Sequence, residues 1–234
     1  MNPPGIGITQ AFASPIVHSS LPDCAALNQR LRELFLRWEQ DTSQKRSSVP
    51  TQVVKVAVYE SGFDLFHRPE PEIQQLAQFC LQNLGFVIAQ LNGYTDPEMA
   101  ELRIFHHSWY HLTRDGGYTA QHNHPMASWS GVYCVDPGET APERPNNGAL
   151  RFSEARTTAS MYLDPGNAQM RSPFGFGDIA FNLQAGQLLM FPSYMPHEVA
   201  PYYGGRERIT VAFNAWVRYA DEPAFEPSLR LRKR

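Results

Sequence analysis

The stretch Gly186–Trp216, GQLLMFPSYMPHEVAPYYGGRERITVAFNAW, decides how the rest of the chain is read. It reads as strand, turn, strand, turn, strand, with His197 at the start of the second strand and Arg208-Ile209-Thr210 opening the third. Side chains alternate along a strand, so Arg208, Thr210, Ala212 and Asn214 share one face. Ile209, Val211 and Phe213 occupy the other face and are expected to pack outward against a covering layer. An arginine on the inner face of a barrel is costly to bury without an anion. Two readings follow for Arg208. It pairs with an internal Asp or Glu, or its planar fork holds a carboxylate bidentately with the Thr210 hydroxyl as a further donor.

The partner of this stretch lies upstream, at His122-Asn123-His124-Pro125. Histidines on either side of one strand residue point to the same face, so both imidazoles can reach one ion. His197, eleven residues before Arg208, supplies a third ligand from another strand. Such a facial set leaves open positions, which is the logic of the two-histidine, one-carboxylate sites of non-haem iron. The remaining histidines cannot join it as a group. His106 points opposite to His107 and His111, and packing or hydrogen bonding accounts for all three. Trp109, Trp129 and Trp216 read as core.

Working outward, residues 13–17 suit an edge strand marked by Pro15. Residues 21–42 form a helix whose apolar face is Leu27, Leu31, Leu34, Phe35 and Trp38. Residues 52–59 alternate as a strand. A second helix runs from Pro71 to about Asn92, with Ile73, Leu76, Cys80, Leu84 and Val87 at helical spacing and Asn92-Gly93 as its stop. From about residue 101 the segments become short, β-branched and aromatic. Strands are predicted over 102–113, 118–122, 129–136 and 149–153, with a tight turn at Asp115-Gly116-Gly117. Residues 154–183 read as irregular, with a flap at Phe174–Gly177, and the Arg- and Lys-rich end reads as a solvated tail. Two helices followed by roughly eight short strands predict a mostly β, α+β architecture: a double-stranded β-helix (jelly roll, cupin-like) buttressed by N-terminal helices. We divide it as support over 1–100, β-helix core over 101–217 and tail over 218–234, in one domain of 234 residues.

A net charge of −3, from 20 basic and 23 acidic residues, gives no basic field to attract nucleic acid or a membrane surface. Three scattered cysteines fit a reducing compartment rather than a disulfide framework. With no leader-like N-terminus and no long apolar run, a soluble cytoplasmic protein is the expectation.

At these residues a resemblance becomes plain. HNHPMASWSGVYCV, FPSYMPHEV and RIT resemble the pattern of a bacterial and phage-associated group of 2-oxoglutarate/Fe(II)-dependent oxygenases of the double-stranded β-helix type, over about residues 101–217. The resemblance implies Fe(II), 2-oxoglutarate and O2 as cofactors, and hydroxylation of a substrate with decarboxylation of 2-oxoglutarate to succinate. It implies His122 and His197 as the two histidine ligands and Arg208, assisted by Thr210, as the clamp on the distal carboxylate. Tyr110 and Tyr133 are strand residues expected to reach the co-substrate. His124 stands where the wider superfamily has Asp or Glu. It is taken as the third ligand, with the alternative that it stands behind the metal while an outside carboxylate or water fills the position. Other readings are a cupin-like dioxygenase or isomerase that does not use 2-oxoglutarate, and a non-catalytic metal-binding barrel. The expected partner is a small molecule or peptide in preference to nucleic acid, and assembly as a homodimer is left open.

Overall fold

The structure is a computed structural model that describes residues 7–41, 53–139, 141–154, 162, 164–175 and 177–222. Among the described residues, nine strands form one antiparallel sheet: β1 (Val17–Ser20), β2 (Lys55–Glu60), β3 (Leu102–His122), β4 (Trp129–Asp136), β5 (Leu150–Phe152), β6 (Ile179–Phe181), β7 (Gln187–Pro192), β8 (His197–Tyr202) and β9 (Arg208–Tyr219). Their order is β1-β7-β4-β9-β3-β8-β5-β6, with β2 added beside β3. The sheet curls into the half-barrel of a jelly roll. Helices α1 (Ala25–Gln40) and α2 (Pro71–Asn92) cover its convex face, and a short α3 (Asp96–Ala100) leads into β3.

The helices form where expected. Pro71 sits in the first turn of α2, and Gly93 ends it in the left-handed conformation at φ 71°. The apolar faces read from spacing are buried: Leu31, Phe35, Ile73, Leu76, Cys80 and Leu84 lie against Leu112, Val211 and Phe213 in one core cluster. Each such side chain contributes roughly 1.5–3 kcal/mol by leaving water. β1 begins at Val17, later than read, and it does hold the sheet edge. The flap reading includes Phe176 and the basic end lies over 229–234, both outside the described residues.

One local reading is corrected. Asp115-Gly116-Gly117 does not close a hairpin; β3 runs unbroken through it for 21 residues. Pairing with β2 skips from Thr113 opposite Val58 to Tyr118 opposite Val56, so the extra residues form a bulge. The first half of β3 pairs with β9 and the second half with β8. The glycines thus bend one strand around the barrel. At Gly117 a Cβ would come within 2.6 Å of the Arg114 carbonyl oxygen, so the bend needs glycine there.

Phe213 is 1 % exposed and joins β9 to the helices. Phe213→Ala is expected to cost about 3–5 kcal/mol of unfolding free energy, read from a urea titration. A loss below about 1 kcal/mol would contradict the assignment of this core.

Candidate metal and co-substrate site

Register decides which side chains meet inside the barrel. On β3 and β9, Trp109 pairs with Ala212, His111 with Thr210 and Thr113 with Arg208. On β4, Ser130 pairs with Asn214, Val132 with Ala212 and Cys134 with Thr210. Paired residues share a face, so these line the interior. The intervening Tyr110, Tyr133, Ile209, Val211 and Phe213 face the helices. The outward packing expected for the β9 set is therefore observed.

His122 ends β3 directly opposite His197 at the start of β8. His124 lies two residues past the strand end, and its backbone N–H donates to the Ser193 carbonyl at 2.9 Å, which turns its ring back to the same side. The three rings converge, with centroids 4.3 Å apart for His122 and His197, 4.9 Å for His122 and His124, and 5.1 Å for His124 and His197. One nitrogen from each lies within 4.8 Å of the other two. Nδ1 of His122 meets the Ala120 carbonyl at 2.8 Å and Nδ1 of His197 meets the Met195 carbonyl at 2.9 Å. A carbonyl only accepts, so both Nδ1 atoms carry the hydrogen and both Nε2 lone pairs point free. Burial, with the charges of His197 and His122, pushes His124 down to about 3. Burial and His122 push His197 down to about 4, and burial lowers His122. All three rings are neutral at pH 7, the form that ligates a metal. The donor set fits a divalent transition-metal ion.

Arg208 is 4 % exposed on the same interior wall. Among the described residues no carboxylate forms an ion pair with it, which removes the internal salt bridge weighed from the sequence. Thr210, also buried, lies beside it on that face. Gly148, at φ 63°, leaves space for the arginine: a Cβ there would fall 2.9 Å from Arg208 Cδ. The three histidines, Arg208 and Thr210 all line one cavity, together with Trp109, His111, Ser130 and Asn214.

Tyr110 and Tyr133 are corrected. The Tyr110 ring stacks on Phe35 of α1 at 4.1 Å, and the Tyr133 hydroxyl donates to Asn28 at 2.7 Å. Each sits one residue out of phase with the inner wall, so neither reaches the cavity. Trp109 and His111, read as packing residues, are packed or hydrogen-bonded as expected, but they do so on the interior wall. His106 faces the helix side and stacks on His67 at 4.7 Å.

Residues 107–214 match the family profile described as "Putative 2OG-Fe(II) oxygenase". The chain carries a 2OG-Fe(II) oxygenase domain. Fe(II), 2-oxoglutarate and O2 are the cofactors of this family. Solved structures share the fold of the oxygenase domain. A Pseudomonas putida prolyl-4-hydroxylase is 18% identical, with 86% of this chain and 91% of that chain covered and a TM-score of 0.55. A Trichoplax adhaerens prolyl hydroxylase bound to a hypoxia inducible factor peptide fragment is 14% identical, with 86% and 83% covered and a TM-score of 0.57. The epimerase SnoN of nogalamycin biosynthesis, solved with Fe3+, alpha ketoglutarate and nogalamycin RO, is 13% identical, with 88% and 82% covered and a TM-score of 0.56. No curated protein matches the chain.

The depressed histidines make the metal-free oxygenase domain acid-sensitive. Each ring has an unfolded value of 6.5 and a lower folded one, so the unfolded chain takes up protons that the folded chain refuses. Stability should be full above 6.5 and fall as pH drops toward the folded values. The melting temperature of metal-free protein is expected to decline from pH 7 to pH 5, and less steeply in His124→Asn. Equal slopes in the two proteins would contradict the burial of a neutral His124.

Proposed function

We propose that His122, His124 and His197 bind the Fe(II), and that Arg208 with Thr210 seats the distal carboxylate of 2-oxoglutarate, for hydroxylation of a small molecule or peptide in the cytoplasm. The observation that carries this is Arg208: a buried arginine with no acid beside it among the described residues, on the wall that also presents three neutral imidazoles. A cation buried in this way is stabilised by an anionic guest. A cupin-like enzyme working without an oxoacid, or a metal-binding barrel without activity, gives this arginine no role.

When bound, the iron supplies oxygen activation at the expense of the oxoacid. The chain's own residues do the remaining work. His122 and His197 offer Nε2 because the Ala120 and Met195 carbonyls hold their Nδ1 hydrogens. Arg208 and Thr210 fix the far end of the oxoacid, so its position along β9 is set by strand register. The cavity among these residues measures ≈ 40 Å³. Leu150, Val132 and Phe191 exclude water around it.

The substrate reading rests on a neighbouring cavity of ≈ 330 Å³. It borders His197 through Phe152, whose ring is 5.9 Å from the imidazole, and through Met195. Its walls include Phe12, Ile16, Pro173 and Ile179, with Glu154 as the charged residue and no Lys or Arg among the described lining. Such a surface suits an apolar or neutral group better than a phosphate backbone.

Anaerobic addition of Fe(II) and then 2-oxoglutarate should give the weak visible charge-transfer band of the chelate. Arg208→Ala is expected to raise the 2-oxoglutarate needed for half the band by on the order of 100-fold, as two charge-assisted hydrogen bonds are lost. An unchanged titration in Arg208→Ala would rule out the clamp.

A further inference from the structure

Two of the three histidines are oriented by backbone carbonyls; His124 is not. Among the described residues no hydrogen bond reaches its ring. Its ring instead meets the indole of Trp109, tilted 63° with centroids 6.1 Å apart. Trp109 is 6 % exposed and held from two further sides. Phe63 packs against it at 5.1 Å and 89°, and His111 meets it edge-on at 6.3 Å and 64°. His111 is fixed in turn by β2. Its Nε2 lies 2.8 Å from Glu60 Oε2, and Lys55 Nζ lies 3.0 Å from the same oxygen. Trp109 Nε1 also lies 3.1 Å from His111 Nε2. One nitrogen cannot accept from Trp109 and donate to Glu60 in the same tautomer. The shorter, charge-assisted contact decides: Nε2–H donates to Glu60, and Trp109 is held by packing.

We propose that Trp109, seated by His111 and Glu60, is the positioning residue for His124. The proposal rests on His124 being a metal ligand. A carboxylate in that place reaches a metal with either oxygen and tolerates rotation. An imidazole has one lone pair in the plane of its ring, so its angle must be set. Ligating histidines are ordinarily angled by a hydrogen bond to the far nitrogen. Here the flat face and edge of an indole take that role, anchored to a partly buried ion pair one strand away.

The test is anaerobic titration of the full chain with Co(II), whose visible absorption reports both affinity and ligand geometry. Trp109→Leu should raise the Kd about 10-fold or more and change the band shape, as loss of an outer partner of a metal ligand does. Trp109→Phe, which keeps an aromatic ring against His124, should recover most of the affinity. His111→Leu, which keeps the indole but removes its link to Glu60, should move the Kd in the same direction as Trp109→Leu. The decisive comparison is in a His124→Asp background, where the brace has nothing to angle. There Trp109→Leu should leave the Kd nearly unchanged. An equal loss in both backgrounds, or no loss in the wild type, overturns the brace. If His124→Ala binds Co(II) as tightly as the wild type, the three-histidine reading fails instead, and that result is distinct from failure of the brace.

Discussion

Strand β9 has to satisfy two environments at once, and the rest of the molecule is arranged around that constraint. Its even positions carry Arg208, Thr210, Ala212 and Asn214 into the barrel; its odd positions carry Ile209, Val211 and Phe213 into the helix-covered core. A slip of one residue would exchange the two sets, placing a guanidinium among leucines and a phenylalanine over the histidines. The register is held from both sides, by β3 over twelve paired residues and by β4 over seven. The apolar core under the helices therefore fixes where Arg208 points, and a stability element doubles as the positioning element of the site.

The electrostatics of the interior follow from that placement. Three imidazoles kept neutral by burial add no charge to the metal, and Arg208 adds one positive charge that no acid among the described residues offsets. A site with a dication and a buried guanidinium favours a dianionic guest, and 2-oxoglutarate is one. Glu60, whose charge acts on His122 and His124, is taken up by Lys55 and His111 and stands behind the site. On the proposed assignment, metal and oxoacid binding are coupled, because the dianion offsets the charge of the dication and of Arg208 together.

What was legible in the sequence was whatever depends on local chemistry. The ends of α2 were readable because Pro71 and Gly93 act on their own backbone. The two faces of β9 were readable because alternation needs no partner. His122, His124 and His197 were readable as a set because spacing and a family pattern supported each other. Two things needed the tertiary structure. Asp115-Gly116-Gly117 has the composition of a hairpin turn, yet pairing of β3 with β2, β8 and β9 makes it a bulge in one long strand. Tyr110 and Tyr133 were assigned to the co-substrate without knowing the phase of β3 and β4 against β9, and register places them on the opposite face. The same register brings Trp109 and His111 inside. Nothing in their local spacing distinguishes them from packing residues.

The central claim is that one ion and one oxoacid meet on this wall. Crystals grown anaerobically with Fe(II) and 2-oxoglutarate, measured on both sides of the iron absorption edge, test it most directly. The account predicts a single iron peak ligated by Nε2 of His122 and His197 and by the His124 ring, with the distal carboxylate of the oxoacid on the Arg208 guanidinium. Iron elsewhere, a water or outside carboxylate in the place of His124, or an oxoacid that leaves Arg208 untouched would contradict it.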